Sequence, residues 1–174
     1  MKKIILIPAL AGALAFSGVG LTGNIAEAST KGLITMEKAR TIAVKSVGGN
    51  VTEIELKRKK SGGIYEVEVQ SKGYEYDLII DAKSGKILKK EKDDLDDLDN
   101  DDVINFKKKF ITAAAAEKIA LKKAKGTVVK TALENDDNRV IYEIEIESKT
   151  HEYEFDIDAI SGKILDFDKD EKDD

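Results

Sequence analysis

The sequence predicts an α+β protein built from two tandem units, each one helix packed on a three- to four-stranded antiparallel sheet. Three observations carry that prediction. Residues Ile34 to Lys90 align with Ile111 to Phe167 at a constant offset of 77 without a gap, and 25 of the 57 pairs are identical. A fixed period of this size means one structural unit used twice. Within each copy the apolar spacing changes once, from helical to alternating. Between the copies lies a run too acidic to build a core.

The first 28 residues stand outside this pattern. Lys2 and Lys3 precede an apolar stretch from Ile4 to Phe16, and Ala26-Glu27-Ala28 forms a small-x-small site. This is the pattern of a secretory signal peptide, with cleavage expected before Ser29. The rival reading is an uncleaved anchor; Gly18, Gly20 and Gly23 break its helix and favour removal. The mature chain would then carry no membrane span, since no other segment approaches the ~20 apolar residues that crossing requires.

Each copy opens with a helix. Thr35 is a suitable N-cap, and Met36, Ala39, Ile42, Ala43 and Val47 form one stripe that Gly48 and Gly49 end. In the second copy Thr112 caps, Ala116, Ile119, Ala120 and Ala124 form the stripe, and Gly126 stops it. Strands follow. Thr52, Ile54 and Leu56, then Tyr65, Val67 and Val69, then Tyr74, Tyr76, Leu78 and Ile80 alternate mostly with polar residues. Their counterparts are Val129, Thr131 and Leu133, then Tyr142, Ile144 and Ile146, then His151, Tyr153, Phe155 and Ile157. Period two with one apolar side describes a sheet with one buried face. That face and the helix stripe must cover each other. Asp81 to Gly85 and Asp158 to Gly162 read as turns, with Asp opening each and Gly supplying a positive φ. A short final strand begins at Lys86 or Lys163.

The expected domains are therefore a signal peptide at 1–28, a first unit at 29–90, an acidic linker at 91–108, a second unit at 109–167 and an acidic tail at 168–174. Glu91 to Asp102 holds seven Asp and one Glu, with only Leu95 and Leu98 apolar, and reads as solvated and extended. The tail from Asp166 reads the same way.

Composition narrows the function. There is no cysteine, which excludes disulfides, thiolate zinc sites and a lipid-modified N-terminal cysteine. Each unit must hold itself with its core alone. Removing Lys2, Lys3 and Glu27 from the net charge of −5 leaves −6. That acidity argues against nucleic acid and anionic membrane surfaces as partners.

A helix opening with Thr and Ala, a Tyr-Glu-Val-Glu strand, and a Tyr-x-Asp/Glu strand leading into Asp-Ala-x-Ser-Gly-Lys-Ile together resemble the PepSY domain. The resemblance covers both repeats. PepSY domains occur in propeptides of thermolysin-type metalloproteases and in many secreted and membrane proteins of bacteria. The resemblance implies a cystatin-like helix-on-sheet fold and a peptidase-inhibiting or protein-binding role. It brings no catalytic residues. No protease domain follows in this sequence, so a target is expected to be met in trans.

Candidate sites are few. His151 is the only histidine and replaces Tyr74 of the first copy at the start of a strand. One histidine without cysteines cannot make a zinc site, so it reads as a residue at the rim of the core. Ser84-Gly85 and Ser161-Gly162 sit in tight turns without a base nearby in sequence, and turn chemistry accounts for them. The linker carboxylates are the right ligands for calcium, but the run lacks the EF-hand's Gly and Glu, so calcium is the lesser reading beside a solvated spacer. No other cofactor is expected.

The outer sheet face is the sharper candidate. A two-residue turn at Lys149-Thr150 would set Glu147 opposite Glu152, Glu145 opposite Glu154 and Glu143 opposite Asp156. Like charges directly across a sheet destabilise it. Either neighbouring cations such as Arg139 or Lys163 neutralise this ladder, or it docks a cation or a basic partner. The expected function is thus a secreted, non-enzymatic binding module, with an extracellular peptidase or envelope protein as partner. The alternative is an envelope-associated structural or cation-binding acidic protein.

Overall fold

A computed structural model describes residues 32–59, 62–95, 103–136 and 139–172. The expected signal peptide and residues 96–102 of the acidic run lie outside them. In chain order the elements are α1 (Met36–Val47), β1 (Asn50–Lys59), β2 (Gly62–Ser71), β3 (Tyr74–Asp81), β4 (Ile87–Lys90), β5 (Asp93–Asp94), α2 (Ala113–Ala120), β6 (Thr127–Asp136), β7 (Arg139–Glu147), β8 (His151–Asp158) and β9 (Ile164–Glu171).

Local chemistry sets both helices. The Thr35 and Thr112 hydroxyls accept from the amides of Lys38 and Ala115, each three residues on, which satisfies one orphan donor per helix. Gly48 closes α1 at φ 74°. The second helix is shorter, 8 residues against 12, and ends at Ala120 although its stripe continues to a buried Ala124. The chain approaching each helix is tied down identically. Tyr65 donates to the Ile34 carbonyl at 2.8 Å and Tyr142 to the Ile111 carbonyl at 2.8 Å. Burial pushes the Tyr65 hydroxyl up to about 12.

The turns form as the sequence implies. Asp81 accepts from both the amide and the hydroxyl of Ser84, and Asp158 does the same for Ser161, at 2.6–2.7 Å. Gly85 and Gly162 follow at φ 72° and 71°. Gly49 and Gly126 serve a different need, close approach. A Cβ on either would stand 2.3 Å from a carbonyl oxygen of the neighbouring strand, Gln70 and Glu147 respectively.

Two apolar clusters lie between helix and sheet, one per repeat. Ala39, Ala43, Ile54, Val67, Val69, Leu78 and Ile80 lead the first; Ala116, Ala120, Ile144, Ile146, Phe155 and Ile157 lead the second. The alanines let each helix sit close to its sheet.

The expectation of two separate small sheets needs correction. All the strands among the described residues belong to one antiparallel sheet of nine, in the order β4-β3-β2-β1-β6-β7-β8-β9, with β5 also on β3. The repeats meet through β1 and β6, where Glu53 pairs with Ala132, Ile54 with Thr131 and Glu55 with Lys130. Ile54 and Thr131 are equivalent residues, 77 apart, so the pairing is self-complementary about that point, as in a two-fold dimer interface. Above it, Arg40 of α1 bonds Glu117 of α2 at 2.7 Å, and these too are equivalent positions. Thr131 donates to Glu117 from the sheet below at 3.0 Å. Burial alone would lower the Arg40 pKa, but Glu117 and Glu37 more than offset it and raise it.

The linker and tail also depart from a solvated reading. Asp93 and Asp94 pair with Glu75 and Tyr74 on β3. Ile104 is buried in the second cluster, with Phe106 and Phe110 packed beside it, and its amide donates to the buried Gln70 of the first repeat. The second core therefore begins before residue 109. Most of the tail is strand, since β9 runs to Glu171. Alternation explains this: Phe167 returns to the apolar face, where it lies 4.8 Å from Phe155 ring to ring.

Two outcomes are expected. Gly162→Val forces a Cβ into the left-handed region and within 3.0 Å of Ile119 Cδ1, and should cost the protein about 1–2 kcal/mol in denaturant melts. Arg40→Ala leaves the half-buried Glu117 without its cation. It should destabilise by about 1–3 kcal/mol, with the charge swap Arg40→Glu plus Glu117→Arg recovering much of the loss.

Candidate functional site

The face of the sheet away from the helices is a field of carboxylates. The chain turns at Lys149-Thr150, closed by the Ser148 amide on the His151 carbonyl at 2.9 Å. That turn fixes the β7–β8 register. Glu147 stands opposite Glu152, Glu145 opposite Glu154, and Glu143 opposite Asp156. β9 extends every rung, with Asp170 beside Glu152, Asp168 beside Glu154 and Asp166 beside Asp156. Nine carboxylates thus occupy a three-by-three grid across β7, β8 and β9. Sequence reasoning found six. The other three were legible as Asp at 166, 168 and 170, a period of two, but the acidity of the segment masked its strand character.

The first repeat is milder. Gln70 faces Glu75, Glu68 faces Asp77, and Glu66 faces Ile79. Burial first, then Asp93 and Glu91, raise the Asp77 pKa.

Cations meet one side of the grid. Lys130 on β6 bonds Glu143 and lies 3.6 Å from Glu145. Burial would lower its pKa, but the bond to Glu143 and the charges of Glu53, Glu143 and Glu145 raise it. Arg58 pairs with Glu147, and Lys172 reaches Glu147 at 3.3 Å and Glu152 at 3.5 Å. Neither Arg139 nor Lys163, the expected neutralisers, supplies an ion pair among the described residues. No ion pair within 4 Å reaches Glu154, Asp156, Asp166, Asp168 or Asp170 among those residues either.

The unpaired side bears the electrostatic cost. Glu154 and Asp156 both have raised pKa values, first from burial and then from Glu143 and the acidic neighbours around each. Glu145 is raised by burial, against the pull of Lys130. One oxygen each from Glu143, Glu154 and Asp156 lies within 4.8 Å of the others. Oxygens binding one calcium ion at 2.3–2.6 Å are at most about 5 Å apart, so these three are spaced to share a divalent cation. The linker carboxylates considered for calcium lie mostly outside the described residues; Asp93 and Asp94 are committed to β5.

The remaining candidates have structural explanations. His151 is half-buried at the head of β8, with Nδ1 2.8 Å from the Thr150 hydroxyl and its ring against Tyr153. Ser84 and Ser161 spend their hydroxyls on the turn aspartates, which holds those aspartates below the usual carboxylate range. For Asp158 the Ser161 hydroxyl is the largest cause; for Asp81 the Ser84 bonds overcome a burial effect of opposite sign.

The family description "Peptidase propeptide and YPEB domain", PepSY, matches this chain twice, over residues 33–91 and 110–168. The chain belongs to the PepSY family. An uncharacterised protein of Bacillus subtilis strain 168, YkoJ, is 34% identical over 174 residues, covering 95% of this chain and 96% of that one. A crystal structure of a lipoprotein candidate from Clostridium difficile 630 shares 27% identity, with a TM-score of 0.45, over 69% of this chain and 82% of the other. No helix among the described residues of this PepSY protein is long and apolar enough to cross a membrane.

The grid makes two outcomes testable. Glu154→Gln with Asp156→Asn removes charge that has no ion pair, and should raise the melting temperature, most at low salt. Glu143→Gln should instead destabilise by about 1–2 kcal/mol, between an exposed and a buried pair, because it takes from Lys130 its hydrogen-bonded carboxylate and leaves only the more distant Glu145. The pH dependence follows from the raised carboxylates. They bind protons more readily folded than unfolded, so stability should rise as pH falls from neutrality toward roughly 4–5, where ordinary carboxylates titrate. Below that range the lowered Asp81 and Asp158 are protonated and their contribution is lost. A series of denaturant melts across pH reads both limbs.

Proposed function

We propose that this PepSY protein is an extracytoplasmic, non-enzymatic binding module, and that the carboxylate grid of its second unit docks a basic surface of a partner protein. The observation that carries the reading is the unpaired half of the grid. Glu154 and Asp156 are held at raised pKa, and with Asp166, Asp168 and Asp170 they lack ion pairs among the described residues. Charge retained at a cost in stability is charge kept for use. The signal-like segment 1–28 supports an address outside the cytoplasmic membrane. The family description, with its peptidase propeptides, supports the most specific form of the reading: a pair of cystatin-like units that modulates an extracellular peptidase in trans.

The deciding experiment adds the secreted chain to a thermolysin-type metalloprotease and to the culture fluid of the native bacterium. Residual peptidase activity and co-purifying proteins are then compared with those for Glu154→Gln/Asp156→Asn. The expected result is a captured partner, or lowered peptidase activity, that the double variant loses while melting higher than the parent. Equal capture and equal activity with both proteins would reject the grid as the docking surface.

A second reading rests on the convergence of Glu143, Glu154 and Asp156. In it the grid takes up divalent cations at the cell envelope. Calcium should then raise the melting temperature of the parent and leave the double variant unmoved. An unchanged parent melt would dismiss it.

A further inference from the structure

β9 is the last strand of the sheet, and among the described residues its only strand neighbour is β8. Exposed edges of this length are usually blunted by brevity, lysine or proline. The opposite edge obeys that rule. β4 has four residues, two of them Lys89 and Lys90. β9 has eight, with a single Lys169. It also gathers exposed apolar surface. Of the large apolar residues that are well exposed, Leu165 (37%) and Phe167 (46%) lie on it and Ile160 (60%) lies in the turn leading to it, against Leu88 (54%) alone on β4. Phe167 stands at the end of an aromatic row, stacked 6.3 Å from Tyr153 and tilted against Phe155 at 4.8 Å. On the other face the same strand presents Asp166, Asp168 and Asp170.

An edge of this kind describes its complement. A strand added beside β9 would place alternate side chains on the two faces. One set would meet Asp166, Asp168 and Asp170, and the other would meet Phe167, with Lys169 and Glu171 further along the same face. A second copy of this chain is a poor occupant, since β9 against β9 sets aspartate rows against one another. We propose that β9 is a docking edge for an extended basic segment of a partner protein, in which Lys or Arg alternates with aliphatic or aromatic residues. The proposal rests on the acidic-face reading above and adds to it a backbone-directed mode of binding.

The test uses the secreted chain and a nine-residue peptide alternating Lys with Val and Phe, blocked at both ends. Two further peptides carry N-methyl groups on the backbone amides, one on the Lys positions and the other on the apolar positions. Alternate amides of a strand point to opposite edges, so only one methylated set faces β9. Strand addition predicts that the parent peptide binds, that one methylated peptide binds at least tenfold more weakly, and that the other keeps its affinity. Backbone amide shifts should centre on residues 164–171. Asp166→Asn with Asp168→Asn should weaken the parent peptide, an exposed change that leaves the fold intact. Equal affinity of all three peptides, or shifts that spare β9, would overturn strand addition and leave the acidic face standing. No binding by any peptide would overturn both.

Discussion

The pairing of β1 with β6 is the contact on which the architecture depends. Without it the chain is two small sheets, each with an exposed central edge. With it, one strand from each repeat becomes interior, and among the described residues the sheet ends at β4 with β5 on one side and at β9 on the other. Only three residue pairs are made, and Arg40, Glu117 and Thr131 reinforce them on the helix side. A unit of about 57 residues buries a limited core. Doubling the sheet adds shared surface without new core sequence. It also makes the outer face continuous, so acidic residues from both repeats lie on one surface.

Much of this was legible. Both helices, the turn aspartates and glycines, and the β7–β8 register follow from local rules: caps, periodicity and a two-residue turn. These are short-range properties, which a repeated sequence states twice. The joining of the sheets was not legible. β1 carries Glu53 and Glu55 and β6 carries Lys130, and nothing in a strand's own pattern says which neighbour its edge will take. The linker and tail failed for a related reason. Their charge argued for solvation, yet Asp93 and Asp94 need only a free β3 edge to become strand. Ile104 and Phe106, four and six residues past Asn100, were an apolar signal lost beside the acidic run.

The candidate site divides the same way. Glu143, Glu145, Glu147, Glu152, Glu154 and Asp156 were placed on one face by alternation alone. Their counter-ions came from tertiary structure: Lys130 from the neighbouring β6, Arg58 from across the repeat boundary, and Lys172 from beyond β9. The result is an uneven field. Its β6 side is met by Lys130 and Arg58, whereas Glu154, Asp156 and the β9 aspartates are left without ion pairs among the described residues, next to an edge with exposed Phe167. Charge and apolar surface therefore converge on one border of the molecule.

The near two-fold arrangement of the repeats has a consequence for identity. In a true homodimer the positions of Arg40 and Glu117 would hold the same residue, as would those of Glu53 and Lys130. Across the axis, arginine would meet arginine and glutamate would meet glutamate. In this chain each such position carries opposite signs in its two copies. The seam therefore distinguishes first unit from second. Two first units, or two second units, would bring like charges together at the helices and again in the sheet. A duplicated module has in this way become a matched pair, in which each half is complementary to the other and repelled by itself.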